Sequence, residues 1–546
     1  MAVRRGHVEA LAALIDKADT RLGDDLAARR ELVSHLTSLV DRQDGRLSDT
    51  TLAWAQGIVD RDATGPSWLL RARVHVARGE WDAATRDADA ARRDPASAQE
   101  ALRLKADVLS YSGAYDASFA AYREYLASYP DDLLAARQLA RVYGWAQRYD
   151  EARAQYAALV AAHPSDARLR LEANAKSAYF AGKWQAAQSA YERWLAAEPE
   201  SEEARFEAAQ AARAAGAETR AIAALEPLAV RQPSHRQSQL ALDTWSAART
   251  PGIQPFASTK ESSGEQGRRT LTLSENGLSG GVWAGAPGRL WFGAGATHVI
   301  ATGSDAQLTG TRVAGSVRGR VSRTLVADAM IGRLDLGVRG IDTYAAGLRA
   351  SLGDRVSLEA RTSRDGWLEN VTTARDALGT RNTHLALNVS APRWSTTSTI
   401  RRRSFSDQNN GWQLEGTGRV QLATGRSEWH AFTWLSNEHN RVDSTAYFAP
   451  RTFSRADLGL EWRGWLSRPR FRDDRERSLT ATYAFGVDSR QLVYHHPSAR
   501  FAYELRPGLA VEARGSWLRS PQYRSTDVFV ALRVGGVLPQ APVAPR

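Results

Sequence analysis

Five prolines recur through the first half of the chain, Pro95, Pro130, Pro164, Pro199 and Pro233, at spacings of 35, 34, 35 and 34 residues. A fixed period of this length restricts the chain to stacked supersecondary units, because each unit buries its apolar face only against its neighbours. Other positions keep the same register. Trp81, Tyr115, Tyr149, Trp184 and Glu218 recur in step, and three residues after each stands a small one: Ala84, Ser118, Ala152, Ala187 and Ala221. Gly79, Gly113, Ala146 and Gly182 precede four of them, where two helices must turn. Tyr122, Tyr156, Tyr191 and Leu225 follow the last four at a spacing of seven. The small residue lets two helices approach closely, and the residue four further on packs on the same face one turn along. Proline then ends the second helix.

The pattern resembles the tetratricopeptide repeat and covers about residues 64–236, so an α-solenoid is expected over 64–245. Such arrays are binding surfaces rather than catalysts. Residues 1–63 also read as helical, with apolar positions at Leu11, Leu14, Ile15, Leu32, Leu36 and Leu39, but lack the proline period. They are expected to form eroded repeats or a cap.

Around residue 250 the pattern changes. Ala, Leu and Glu give way to Gly, Thr, Ser, Val and Arg, and the apolar period drops from 3.6 to 2. Thr250-Pro251-Gly252 marks the boundary. Beyond it Leu458, Leu460, Trp462 and Leu466 oppose Asp457, Glu461, Arg463 and Trp465, and Trp412, Leu414, Val420 and Leu422 oppose Gln413, Glu415, Arg419 and Gln421. Leu479, Ala481, Tyr483, Phe485 and Val487 share a face in the same way. Alternating segments of about ten residues over nearly three hundred predict an antiparallel transmembrane β-barrel from 252 to 537, with about 16 strands, lipid outside and water inside. A soluble sandwich would alternate too, with its apolar face inward. Arg and Glu together on the polar faces, and Trp412, Trp429, Tyr483 and Trp517 on the apolar ones, favour the membrane. A Pro-rich tail, 538–546, follows.

The net charge of +11 arises after residue 250 and is almost all arginine. These arginines are threaded through strands at period 2, without a basic helix or RNA-binding signature, so nucleic acid is not an expected partner. Outer-membrane lipids and a passing polymer are. Zero cysteine excludes disulfides, thiolate metal sites and a thiol nucleophile. No run of 18 apolar residues exists, and Met1-Ala2-Val3-Arg4-Arg5-Gly6-His7 lacks the apolar core of a signal peptide, so two readings stand: either the sequence starts downstream of its true origin, or the barrel does not reach an outer membrane.

A tetratricopeptide array leading into a C-terminal barrel resembles the outer-membrane exporters of biofilm exopolysaccharides: the cellulose-synthase C subunit, the poly-N-acetylglucosamine porin and the Pel exporter. Ser263-Gly264-Glu265-Gln266-Gly267 resembles an opening found in the cellulose type, and Tyr447-Phe448-Ala449-Pro450-Arg451 an element preceding a late strand in the cellulose and poly-N-acetylglucosamine types. The resemblance implies an outer-membrane porin whose periplasmic repeats bind partner proteins, including inner-membrane synthase components, or the glycan itself. Phe432, Trp434 and Trp465 are expected to line the path, with Arg349, Glu359, Arg361, Glu415, Arg419, Glu461, Arg463, Glu512 and Arg514. Sugar rings offer apolar C–H faces to aromatics and hydroxyls to charges, so weak repeated contacts permit sliding. A net-positive channel would suit a neutral or anionic exopolysaccharide.

Catalytic signals are poor, and neither an enzyme activity nor a cofactor or metal is expected. Gly277-Leu278-Ser279-Gly280-Gly281 matches the G-x-S-x-G pattern but reads as a Gly-rich turn rather than a strand–helix elbow. His298, His384, His430, His439, His495 and His496 lack metal-ligand spacing. Two other readings stay open: a surface receptor or scaffold whose barrel only anchors the repeats, and a barrel enzyme acting on lipid.

Overall fold

The computed structural model describes residues 25–39, 49–231, 236–264, 270–284, 290–322, 324–424, 427–467 and 475–536, together with Lys17 and Leu47. Leu11, Leu14, Ile15, Pro233, Glu265-Gln266-Gly267 and the tail 538–546 lie outside the described residues.

The first half is helical. The helices are α1 (Leu26–Leu39), α2 (Asp49–Arg61), α3 (Gly65–Arg78), α4 (Trp81–Ala91), α5 (Ala98–Ser112), α6 (Tyr115–Ser128), α7 (Leu133–Trp145), α8 (Tyr149–Ala162), α9 (Ala167–Phe180), α10 (Trp184–Ala197), α11 (Glu202–Ala214), α12 (Glu218–Arg231) and α13 (Arg236–Ala247). The prolines act as punctuation: α6, α8 and α10 each stop two residues before Pro130, Pro164 and Pro199. Gly79, Gly113 and Gly182 adopt positive φ between the paired helices, where L side chains are strained. Gln147 adopts it after Ala146, and Gly216, which the sequence reading overlooked, does so in the fifth copy. Asp132 and Asp166 cap α7 and α9, accepting from the Ala135 and Leu169 amides at 3.0 and 2.9 Å.

Packing follows the repeat. Ala84, Ser118, Ala152, Ala187 and Ala221 are all fully buried, as are Tyr122, Tyr156, Tyr191 and Leu225 one turn along. At the N-terminal end, Val33 and Leu36 of α1 join Trp54 and Ile58 of α2 and Leu70 and Val74 of α3 in a further apolar cluster.

The tyrosines bring a polar partner the sequence reading did not anticipate. Tyr156 donates to Glu172 and Tyr191 to Glu207, each at 2.8 Å. Glu172 also pairs with Arg137 and with Arg141 at 2.8 Å, Arg141 reaches Glu203 at 3.0 Å, and Lys176 holds Glu203 and Glu207 at 2.7 and 2.8 Å. Glu172 and Lys176 are almost completely buried. Burial disfavours the Glu172 carboxylate, but Arg141, Lys176 and Arg137 outweigh it and hold its pKa at about 2. Burial likewise opposes the Lys176 cation, and Glu203, Glu207 and Glu172 more than compensate. Glu207 is different: there burial dominates and its pKa lies above the ordinary value.

The second half is a closed barrel of sixteen antiparallel strands, from β1 (Gly252–Gly264) to β16 (Tyr523–Gly535), each hydrogen-bonded to its neighbours in sequence and closed by β1 against β16. The strands used below are β2 (Leu271–Ala284), β3 (Leu290–Gly303), β4 (Gln307–Arg320), β5 (Leu325–Asp335), β6 (Gly340–Ser351), β7 (Val356–Gly366), β8 (Gly379–Ala391), β9 (Trp394–Phe405), β10 (Asn410–Ala423), β11 (Ser427–Asn440), β12 (Thr452–Trp465), β13 (Arg477–Asp488), β14 (Val493–Arg506) and β15 (Leu509–Arg519). The end bearing Gly252 and Gly535 is termed proximal, the opposite end distal. Closure leaves no unpaired edge.

The apolar faces point outward. Leu414, Leu435, Leu458, Leu460, Tyr483, Phe485, Val530 and Leu532 are all exposed, whereas their alternating polar neighbours face in. Exposed Trp394 and Trp429 stand near the proximal ends of their strands, and Trp412 and Trp517 near the distal ends, the positions of two interface girdles. An exposed apolar belt between aromatic rings is what a bilayer solvates and water does not.

One expectation is corrected here. Gly277-Leu278-Ser279-Gly280-Gly281 is no turn; it runs through the middle of β2. A side chain at Gly281 would collide with the inward ring of Trp291, and one at Gly277 with Phe256, so the glycines make room for aromatics in the lumen. Without a strand-to-helix elbow, Ser279 has no nucleophile geometry.

Candidate functional site

Every residue expected to line the path lies on an inward face. Paired residues in an antiparallel ladder share a face, and Trp434 pairs with Asp457 and Phe432 with Gly459, on the side opposite exposed Leu435, Leu458 and Leu460. Phe432 occupies the space that a Gly459 side chain would fill. Arg455 reaches over the ring of Trp434 at 5.3 Å and that of Tyr494 at 4.4 Å. Trp465, nearer the proximal end, carries Arg463 at 4.5 Å. The β11–β12 wall is thus an aromatic track climbing roughly 27 Å, at about 3.4 Å per residue.

The charged lining residues are not free. Arg349 holds Glu359, Nε to oxygen 3.0 Å; Arg361 holds Asp328 at 3.1 Å; Glu415 accepts from Arg401 at 3.2 Å; Arg419 pairs with Glu461. Arg463 and Arg500 share Glu476 at 2.7 and 2.6 Å, and Arg500 also holds Glu512 at 3.0 Å. Arg514 lies 4.3 Å over the ring of Phe529. The net-positive lumen expected from composition is therefore corrected: these arginines, Arg514 excepted, stand against carboxylates, because the strands bring opposite charges onto one face. Paired charges present hydrogen-bonding edges without a strong field, which suits hydroxyl groups better than ions.

The sequence reading missed several inward aromatics. Trp283 and Trp291 meet edge to face at 5.3 Å, and Phe256 stacks on Phe529 at 6.0 Å. Their neighbours, Gly280-Gly281-Val282 and Phe292-Gly293, are apolar or glycine on both faces, so no period-2 contrast marks them. His495 and His496 point to opposite faces: His495 meets Tyr483 outside at 2.7 Å, so the two cannot share a ligand. Among the described residues no cluster could hold a metal.

The distal mouth carries a cap. The β7–β8 connection holds a short helix, α14 (Val371–Arg375), started by a reciprocal Asn370–Thr373 capping box. Val371 and Ala374 pack onto inward Leu271, Leu273, Val299, Ala301 and Leu334 of β2, β3 and β5. The β11–β12 connection meets it: Asn370 Nδ2 donates to the Ala446 carbonyl at 2.7 Å, and the Phe448 amide donates to Glu369 at 2.7 Å. Tyr447, buried, packs its ring tilted against Phe405 at 4.6 Å and donates to Asp407 at 2.8 Å, while Trp367 meets Phe405 edge to face at 5.4 Å. The Tyr447–Arg451 motif thus clamps two loops together. Substituting Val371→Asp with Ala374→Asp places charges against an apolar patch and should release the helix. The expected outcome is greater cellular sensitivity to bulky hydrophilic antibiotics with unchanged barrel assembly; unchanged sensitivity would show that the cap does not obstruct the mouth.

The tetratricopeptide repeat family model matches residues 69–132 and 172–235. The chain is similar to a solved bacterial polysaccharide outer membrane secretin (12% identity, 53% of this chain, 99% of that one, TM-score 0.45) and to Pseudomonas aeruginosa OpdQ (10%, 52%, 98%, 0.30). It is also similar to a tetratricopeptide repeat protein from Parabacteroides merdae (14%, 40%, 85%, 0.31). No curated protein matches it. The chain is a helical region, with tetratricopeptide repeats matched over 69–132 and 172–235, followed by a closed sixteen-stranded barrel.

Proposed function

We propose that the barrel is an outer-membrane conduit for a secreted neutral polysaccharide, and that the repeats engage periplasmic partners or the emerging glycan. The observation that carries this is the β11–β12 track, where Trp465, Phe432 and Trp434 alternate with paired charges on one inward wall. Aromatic faces receive the C–H faces of sugar rings while Arg–carboxylate pairs exchange hydrogen bonds with hydroxyls. Each contact is weak, and the series allows sliding. The chemistry is passage rather than bond making, so no catalytic residue is assigned.

The test is Trp434→Ala with Trp465→Ala in cells producing the polymer, reading secreted polysaccharide per heat-modifiable barrel. Secretion should fall several-fold with the barrel amount unchanged; normal secretion would remove the track from the mechanism. The cap favours a second reading, a surface receptor with a closed lumen. Under that reading the track variant has no effect, whereas loss of the Tyr447 clamp abolishes ligand binding at the cell surface.

A further inference from the structure

The outer wall carries cations that the lumen pairing does not engage. Arg364 on β7 and Arg381 on β8 stand directly opposite one another, and Arg402 on β9 lies opposite Thr383, one outward row closer to the proximal end. Arg381 and Arg402 are exposed and Arg364 is half-buried. None of the three has a carboxylate partner among the described residues. Like charges directly opposed weaken a strand pair, so this arrangement calls for an anion. The row of Arg402 continues to the exposed ring of Trp412 in the distal girdle. Immediately proximal lies a shallow groove of about 810 Å³ that runs across the outer wall from Leu358 on β7 to Val487 on β13, and at its near end Leu385, Leu387, Ile400 and Leu414 flank Ser398 and Gly416. A side chain at Gly416 would meet only open space, so the dip there is unfilled.

We propose that β7–β10 form a binding site for a phosphorylated glycolipid of the outer leaflet. The arginines hold its phosphates by charge-assisted hydrogen bonds, and the groove receives an acyl chain. Three clustered cations exceed what a single phosphodiester neutralises, which favours a bis-phosphorylated headgroup over an ordinary phospholipid. A soluble acidic polymer would use the arginines but has nothing to place in the groove. The site rests on the proposed reading of the outer wall as bilayer-facing and of the distal end as the cell-surface end, but not on what passes through the lumen.

The experiment uses the full chain in phosphatidylethanolamine nanodiscs, with binding of bis-phosphoryl lipid A followed by native mass spectrometry. The wild type should bind it, and a millimolar concentration of inorganic phosphate should not displace it. The variant carrying Arg364→Gln, Arg381→Gln and Arg402→Gln should bind at least tenfold more weakly, and Gly416→Leu, which fills the groove, several-fold more weakly. If the triple variant does not fold, Arg381→Gln alone should show at least a threefold loss. Undiminished binding by these variants, equal binding of phosphate-free lipid A, or displacement by inorganic phosphate or a polyuronate would each overturn the site. Failure of the chain to enter nanodiscs would overturn the bilayer reading of the outer wall, and the site with it, while leaving the aromatic track to its own secretion test.

Discussion

Glu172→Gln should lower the stability of the helical array by about 3 kcal/mol, the free energy by which the fold favours this carboxylate when its pKa falls from 4.5 to about 2. Arg137, Arg141 and Lys176 all lean on this carboxylate, and Tyr156 donates to it. Circular dichroism at 222 nm of the full chain in urea should show the helical midpoint lower by about 1–3 M, taking a slope of about 1–3 kcal/mol per M. Glu207→Gln should cost markedly less, because burial already pushes the Glu207 pKa up and its charged form is disfavoured in the fold. Equal losses for the two would contradict the assignment of Glu172 as the anionic centre. The pH dependence follows in sign. The folded pKa of Glu172, about 2, lies below the ordinary 4.5, so its contribution is complete above that range and is lost as pH falls from about 4.5 through 2. Wild type should therefore lose helical stability over this window more steeply than Glu172→Gln.

The second large effect concerns the outer wall. Leu460 is exposed midway along β12, beside Ala431 and Tyr483. Leu460→Arg should cost about 2–4 kcal/mol of barrel stability if this surface meets the bilayer midplane. The measurement is the fraction of heat-modifiable barrel in membranes. Thr482→Arg, on the inward face beside Glu461, is the control and should assemble normally. Normal assembly of Leu460→Arg alongside failure of Thr482→Arg would reverse the inside–outside assignment.

Much of this architecture is legible in sequence, for physical reasons. Ala84, Ser118, Ala152, Ala187 and Ala221 announce helix contacts because only a small residue fits there, and each is fully buried. Strands such as β12 and β13 declare their faces because apolar and polar residues alternate strictly. What stayed hidden depends on neighbours distant in sequence. The charge ladder does leave a trace, since Arg141 and Lys176, like Glu172 and Glu207, are 35 residues apart and in step with the repeat. Periodic charge, however, normally reads as a solvated face. The cap was invisible: α14 is short, and its apolar bed comes from the ends of three strands. Trp283 and Trp291 were lost because the glycines beside them erase the alternation.

The central claim is that sugar chains pass along the β11–β12 wall, and the most direct test is ionic current through single barrels in planar bilayers. The uncapped Val371→Asp, Ala374→Asp chain should conduct, and neutral hexasaccharides should produce brief, concentration-dependent blockades. Adding Trp434→Ala and Trp465→Ala should shorten those blockades several-fold while open-channel current stays the same or rises. An uncapped barrel that does not conduct, or blockades indifferent to the loss of both tryptophans, would contradict the account.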